Sequence, residues 1–478
     1  MILPRNILLA LVALGVLPLA VAAGLWTEPG RTGAAGAAAV VLLVAAVDAG
    51  LGWWRAGRRL AFEFPETVRL SKARADAVPV MVVNRLPGAP ERNLRLGLAW
   101  PETVQTPTEE LAVTLRAGAE RTRFEWACTA SRRGRWALGR VHYEEASPLR
   151  LWAVRRSAAA ACELRVYPDL RAERRQAAAI FLTRGGLGSH AQRQVGRGRE
   201  FEKLRDYVAG DSIEDISWKA TARRQRPVSK VFQVERTQEV YVLIDASRLS
   251  ARLAREAADL SLQEGDDEGE TGAEAATTTT AAVAGPTVLE RYLSSALLLC
   301  LAAERQGDLF GLGTFADGVR HFLRAKNGPA HFDACREAIY ALEPAVVSPD
   351  FEELRAFLRL RLRRRALLVV LTSSLDDPVL AEGFLRAMEG VSRQHVVLVN
   401  SLRPPEVSPL FADADGGAGV VTTGDVYRRL SGHLRWQKLR EYEKRLRRLG
   451  VGFTLVDESR MTEQIVTQYL NVKQRQVL

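Results

Sequence analysis

The sequence predicts a multidomain chain: two transmembrane helices, a small antiparallel β-sandwich and an α/β doubly wound domain. Three observations carry this reading. Two runs near the amino terminus are almost free of charge, residues 60–168 break into short alternating apolar runs, and from residue 239 near-continuous apolar strands alternate with helical stretches. At ~150 residues per domain, 478 residues exceed what one core fills. The expected organisation is a transmembrane hairpin over 1–59, the sandwich over 60–168, a motif segment over 169–238 packing on the next domain, and the doubly wound domain over 239–478.

Each span rests on its lack of charge. Ile7 to Trp26 carries none, and Ala34 to Trp54 carries only Asp48. At 1.5 Å per residue each run can cross a ~30 Å hydrocarbon layer. Arg5 before the first run and Ala20-Val21-Ala22 also fit a cleaved signal peptide, which the second run weakens. Arg55, Arg58 and Arg59 follow the second run and Trp53 and Trp54 end it, so the positive-inside bias places the bulk of the chain in the cytoplasm. Asp48 is read as reaching the headgroup region.

Between Leu60 and Pro168, runs such as Val78 to Val83, Leu94 to Leu98, Leu111 to Leu115 and Cys162 to Tyr167 are strands, with turn chemistry between them. Pro79 has no N–H for a ladder, so it belongs at a strand start or on an edge. Arg132-Arg133-Gly134-Arg135-Trp136 could bind an anion, but reads as a solvated basic corner.

Composition narrows function. A hydrophobic share of 47% and a charged share of 26% exclude a chain disordered throughout. The 67 Lys and Arg against 56 Asp and Glu leave a net charge of +11, which attracts acidic partners, nucleic acid or anionic lipid. Cys128, Cys162, Cys300 and Cys335 form no C-x-x-C pair and read as small buried residues. The 6 histidines form no ligand-spaced pair, which argues against a zinc hydrolase.

The most distinctive stretch is Gly198 to Arg223, whose acids and bases are mixed and whose apolar thread is Tyr207, Ile213, Ile216 and Trp218. Gly210-Asp211 reads as a turn and Asp215 to Arg223 as a short helix. Beyond it, Glu239 to Asp245 is a buried strand followed by Ala246-Ser247, and further strands are read at Gly307 to Phe315, Ala366 to Thr372, His395 to Asn400 and Val451 to Val456. Such strands separated by helices form a parallel sheet covered on both faces, with ligands at the carboxyl ends, where Asp245 and Ser247 fall. No G-x-G-x-x-G or Walker A lysine follows a strand, so neither dinucleotide binding nor ATP hydrolysis is supported. Between Arg255 and Arg291 there is no base, while acids and Thr277 to Thr280 accumulate, so about 256–286 reads as a disordered acidic insertion.

The run Arg205-Asp206-Tyr207-x-x-Gly210-Asp211, continued by Ile216-Ser217-Trp218-Lys219-Ala220-x-Ala222-Arg223, Glu235 and the strand to Asp245-Ala246-Ser247-Arg248, resembles the bacterial family called domain of unknown function 58. The resemblance follows the whole chain in order, although Ser147-Pro148-Leu149 departs from the family's usual Asp-Pro-Phe. It implies a von Willebrand factor A-like fold for the doubly wound domain, association with a MoxR-type AAA+ ATPase, and a role in assembly, maturation or remodelling of client proteins. The expected function is a membrane-anchored, non-enzymatic protein-interaction module. Its interaction motif would comprise Arg205, Tyr207, Gly210, Asp211, Trp218, Lys219 and Arg223. Alternatives are a salt-sensitive binder of nucleic acid or anionic lipid and a metal-dependent hydrolase using Asp245; nucleic acid is the less expected partner.

Domains similar to von Willebrand factor A often hold Mg²⁺ through Asp-x-Ser-x-Ser, a distant threonine and a distant aspartate. Here Asp245 and Ser247 match, Leu249 takes the third position with Ser250 one residue late, and Lys326 to Pro329 lacks a threonine. Thr314 lies within a strand, and Thr372-Ser373-Ser374 has a serine where the aspartate is expected. Asp376 and Asp377 would reach back only if their loop folds over. The site is read as degenerate: Mg²⁺ is the ion it would suit, bound weakly or not at all, and no cofactor is expected.

Overall fold

The computed structural model describes residues 1–12, 28–58, 60–85, 91–171, 174–175, 195–208, 213–233, 238–254, 286–404, 406–410 and 423–475. It divides into two compact units, Met1–Asp169 and Leu170–Leu478.

In the first unit a five-stranded sheet runs in the order β1 (Ile2–Pro4), β11 (Trp152–Ala159), β10 (Arg140–Ala146), β5 (Arg92–Leu98) and β7 (Glu110–Leu115). A four-stranded sheet runs β2 (Leu60–Glu63), β4 (Ala75–Asn84), β8 (Arg121–Ala130) and β6 (Val104–Gln105), and a three-stranded one β3 (Thr67–Ser71), β12 (Glu163–Tyr167) and β9 (Gly134–Ala137). One core receives Leu94 and Val141 from the first sheet, Val80 and Trp126 from the second, and Leu164 and Val166 from the third. The alternation of apolar and polar residues read from the sequence is what lets each strand turn one face to that core. One pairing is not antiparallel: β12 runs parallel to β3. Pro79 lies within β4, but β2 pairs only Met81 to Asn84, so at Pro79 the strand has β8 alone beside it and no ladder donor is missed.

The basic corner before β9 is solvated only in part: Arg132 and Arg135 are exposed, while Arg133 is buried. Gly134 has φ +135 and lies against the Trp136 ring, a conformation L side chains rarely adopt, while Arg135 and Arg165 both pair with Glu163 at 2.5 and 2.7 Å.

The amino-terminal segments depart most from expectation. A short helix α1 (Asn6–Leu11) follows β1, and residues 13–27, the rest of the first expected span, lie outside the described residues. The second expected span forms part of α2 (Glu28–Arg58). Among the described residues no helix is long and apolar enough to cross a membrane. The two-span expectation is therefore corrected, and the topology drawn from it falls with it. The physical reason lies in what α2 bonds to: its carboxylate Asp48 and two of its carbonyls are committed to the sandwich. Asp48 is buried rather than near a headgroup layer; it accepts from the Ser147 hydroxyl at 2.5 Å and the Leu149 amide at 2.9 Å. The Ala45 carbonyl accepts from the Trp152 indole at 2.8 Å, and the Trp53 carbonyl from Arg156 at 2.8 Å. A charge-poor window is thus a helix leaning on β11, with its one carboxylate turned inward. Ser147 and Leu149, the two residues that depart from Asp-Pro-Phe, are the two that meet Asp48.

In the second unit a six-stranded sheet runs β17 (Val319–Lys326), β16 (Leu309–Phe315), β15 (Glu239–Asp245), β18 (Leu367–Leu371), β19 (Val396–Leu402) and β20 (Gly452–Val456), all parallel except the edge strand β17. The apolar continuity of β15 and β18 follows from burial on both faces. One face packs on α4 (Val288–Arg305), α5 (Pro329–Ile339) and α9 (Met461–Gln474), the other on α6 (Phe351–Arg361), α7 (Pro378–Ser392) and α8 (Thr423–Arg448). Helix starts are legible in their caps: Thr287 and Glu290 form a capping box at α4, Asp350 caps α6, and Asp377 caps α7 ahead of Pro378. Gly311 of β16 sits under the Tyr241 ring, where a Cβ would come within 2.3 Å of ring carbons. The acidic insertion falls almost wholly on residues 255–285, outside the described residues.

Replacing Asp48 by Ala strands the Ser147 hydroxyl and the Leu149 amide and is expected to weaken the α2–β11 contact by about 1–3 kcal/mol. Hydrogen exchange of residues 147–154 checks this: faster exchange in Asp48→Ala, with Asp48→Asn intermediate, is the expected result. Unchanged exchange would mean that apolar contact alone holds the helix.

Candidate functional site

Two places bear on function: the motif around Trp218 and the carboxyl ends of β15 and β18. The motif folds as a two-stranded antiparallel ribbon of β13 (Val195–Asp206) and β14 (Val228–Gln233), bridged by a 3-10 turn (Ile213–Asp215) and the short helix α3 (Trp218–Arg224). Backbone bonds pin it: the Ser217 amide donates to Val228 O at 2.8 Å, and the Tyr207 amide to Pro227 O at 3.0 Å. The Thr221 hydroxyl accepts from the Val228 amide at 3.1 Å. Gln225 ends the helix in the left-handed conformation at φ 53, and Pro227 follows as a residue that cannot continue it.

Because ordering comes from the backbone, the side chains of α3 are left outside: none is buried, and Trp218 is 67% exposed. Ile213 is 71% and Val208 58% exposed, and Tyr207 is exposed beside them in the chain. Lys219 and Arg223 are exposed too, and Arg205 is half-buried. Gly210 and Asp211 lie outside the described residues. Asp206 and Arg226 pair at 3.1 Å, both well exposed, a contact of little energetic weight. Ile213, read as part of an apolar thread, faces solvent instead, and Val208 was not singled out at all. Apolar residues in a motif so rich in charge were the available signal.

At the other place Asp245 ends β15, buried and fully engaged. Its Oδ1 accepts from the Ser247 amide at 2.9 Å; its Oδ2 accepts from the Thr372 hydroxyl at 2.6 Å and the Ser374 hydroxyl at 2.8 Å. Thr372 and Ser374 come from the turn after β18, so the carboxylate joins two adjacent strand ends. The Tyr292 and Ser373 hydroxyls share a hydrogen bond at 2.8 Å, and burial pushes the Tyr292 phenol far up. Thr314 meets His321 at 3.1 Å. Asp376 and Asp377 turn away from the carboxylate to Arg252 and Arg248, at 3.3 and 3.1 Å. Burial pushes Asp376 up to about 6, against the opposing pull of Arg252 and Arg435.

This donor set does not fit a divalent cation. Both oxygens of Asp245 are taken by protein donors, Leu249 and Ser250 are buried in the following turn, and the buried atoms of this cluster left without a partner are the Ser247 hydroxyl and Asp376 Oδ1, whose carboxylate turns to Arg252. Among the described residues no three His, Cys, Asp or Glu side chains are grouped to hold a metal.

The strand order, with its antiparallel edge and its polar cluster where the central strands end, defines a doubly wound domain of the von Willebrand factor A-like class. Residues 203–257 and 281–410 match the family model described as "Protein of unknown function DUF58", the family that the central motif resembles. The matched stretches include the described motif from Lys203 onward and both strand ends, and the interval between them lies in the acidic insertion. Similar solved structures include the SpRpn10 VWA domain, 11% identical over 48% of this chain and 95% of that one, with a TM-score of 0.28. BatB from Bacteroides thetaiotaomicron is 14% identical over 50% and 99%, with a TM-score of 0.28. An aerotolerance-related membrane protein from Bacteroides fragilis is 14% identical over 49% and 98%, with a TM-score of 0.26. No curated protein matches the chain.

Two measurements follow from this geometry. Calorimetric titration of the chain with Mg²⁺ or Mn²⁺ is expected to show no micromolar binding, whereas micromolar heat abolished by Asp245→Ala would show an intact site. Asp376 has a folded-state pKa raised above its unfolded value, so its stabilising influence is complete below about 4 and is lost as pH rises through about 6. Asp376→Asn should therefore match wild type near pH 4 and exceed it above pH 6, by about 3 kcal/mol at most. Thermal melting at both pH values checks the crossover; a gap independent of pH would count against it.

Proposed function

We propose that this chain is a protein-interaction module that presents client proteins to a MoxR-type AAA+ ATPase during their assembly, maturation or remodelling. The observation that carries the reading is Trp218, a large aromatic 67% exposed on a helix none of whose side chains is buried, within the family-matched stretch. Tryptophan and arginine are the residues most enriched among those that dominate binding energy, and Arg223 and Arg224 share its helix. A helix ordered by backbone bonds and offering its side chains outward is what a preorganised contact surface needs.

The reading includes no catalytic role and no cofactor. Its compartment would be the cytoplasmic side of a bacterial inner membrane. Four buried free thiols accord with a reducing compartment. The bases Lys219, Arg223, Arg224 and Arg226 favour a second reading, salt-sensitive binding of nucleic acid, because they are all exposed on one small ribbon.

A pull-down with the full chain from membranes, at low and at high salt, separates the two. A stoichiometric AAA+ ATPase retained at high salt and reduced at least ~tenfold by Trp218→Ala is the expected outcome. Nucleic acid captured at low salt, with no ATPase under either condition, would replace the proposal with the second reading.

A further inference from the structure

The first unit contains a cleft of about 720 Å³, within the size range of small-molecule sites. Trp53 at the end of α2, Arg95 and Gly97 of β5, His142 of β10 and Arg156 of β11 line it, together with the carboxylates Glu110 and Glu144 and the guanidinium of Arg155.

The charges do not cancel locally. Glu144 accepts from Arg155 Nε at 2.6 Å, which takes up both. Arg95 and His142 are exposed and have no hydrogen-bond or ion-pair partner among the described residues. Arg156 lies 4.2 Å from the Trp53 ring centroid and donates through Nη2 to the Trp53 carbonyl, yet its Nε is buried without an acceptor. Arg95, His142 and the Nε of Arg156 thus have no protein acceptor among the described residues, and all three side chains line one cleft, against the single uncommitted carboxylate of Glu110. Gly97 keeps space open, since nothing lies within 4 Å of where its Cβ would stand.

The cleft adjoins an apolar surface. Outside its docked Ala45, Asp48 and Gly52, α2 exposes Leu42, Leu43, Val47, Leu51 and Trp54, the last next to Trp53 in the chain. An anion-binding cleft at the end of an exposed apolar helix matches a ligand with a charged head and a hydrocarbon tail.

We propose that this cleft binds the phosphate head of an anionic amphiphile, with Arg95, His142 and Arg156 on the phosphate and the acyl chains along α2. Arginine's planar fork suits phosphate oxygens, and the apolar helix surface removes the tails from water. Neither the head nor the tail alone meets both surfaces, so each should bind less tightly than the whole molecule.

Calorimetry with the purified full chain tests this using dihexanoyl phosphatidic acid below its critical micelle concentration. Dihexanoyl phosphatidylcholine and glycerol 3-phosphate supply the comparisons. The phosphatidic acid is expected to bind at least ~tenfold more tightly than either, a factor that one or two charge-assisted hydrogen bonds provide. Arg95→Gln, which removes an unpartnered surface charge, and Gly97→Leu, which fills the cleft, should each weaken it about tenfold in proteins whose melting matches wild type. Equal binding of phosphatidylcholine would reduce the effect to apolar contact, and equal binding of glycerol 3-phosphate would make this a site for soluble phosphate esters. Either result overturns the proposal, as does no binding of phosphatidic acid or binding unchanged in both variants.

Discussion

A single buried carboxylate organises the carboxyl end of the doubly wound sheet. Asp245 has 1% of its surface exposed, and a charge so placed is tolerable only when its oxygens are hydrogen-bonded. The Ser247 amide holds it from its own strand, and the Thr372 and Ser374 hydroxyls hold it from the next, so the ends of β15 and β18 are fixed relative to each other. The arrangement also sets the chemistry. Oxygens engaged by protein donors are poorly placed to replace the tightly held water of Mg²⁺. The serine that stands where a second aspartate was sought becomes a donor to the first.

The first unit uses the same device. Asp48 is buried to the same extent and is held by one hydroxyl and one backbone amide, from Ser147 and Leu149. In both places the carboxylate is an internal clasp, joining strand end to strand end in one unit and helix to sheet in the other. Removing either acid would leave donors buried with nothing to accept from them, which costs more than the hydrogen bonds themselves contribute.

The proposed function rests on a surface, the motif ribbon. The motif ribbon spends its backbone hydrogen bonds on its own order and leaves Trp218, Ile213 and Val208 in water. Exposed large apolar residues within one short motif are the opposite of what folding alone would select, and the proposed interaction role gives them a reason.

What the amino-acid sequence determined by itself was whatever is encoded within a few neighbouring residues. The runs at 239–245 and 367–371 could be read as buried parallel strands because burial on both faces leaves no polar position in the pattern's middle, and those at 396–402 and 452–456 because each is short and largely apolar. The alternating strands of the sandwich and the residues of the motif were legible for the same local reason. The antiparallel edge β17 was not, because its half-buried residues carry neither pattern strongly. Only the tertiary structure decided that the charge-poor helix α2 leans on β11 through Asp48, and that Arg133 is buried. It also decided that Asp376 and Asp377 face arginines rather than Asp245, and that Trp218 is left outside. A local pattern records which side chains avoid water. The partner that covers them, or its absence, lies 99 residues away for Asp48 and Ser147 and 127 for Asp245 and Thr372, and chain folding alone brings those groups together.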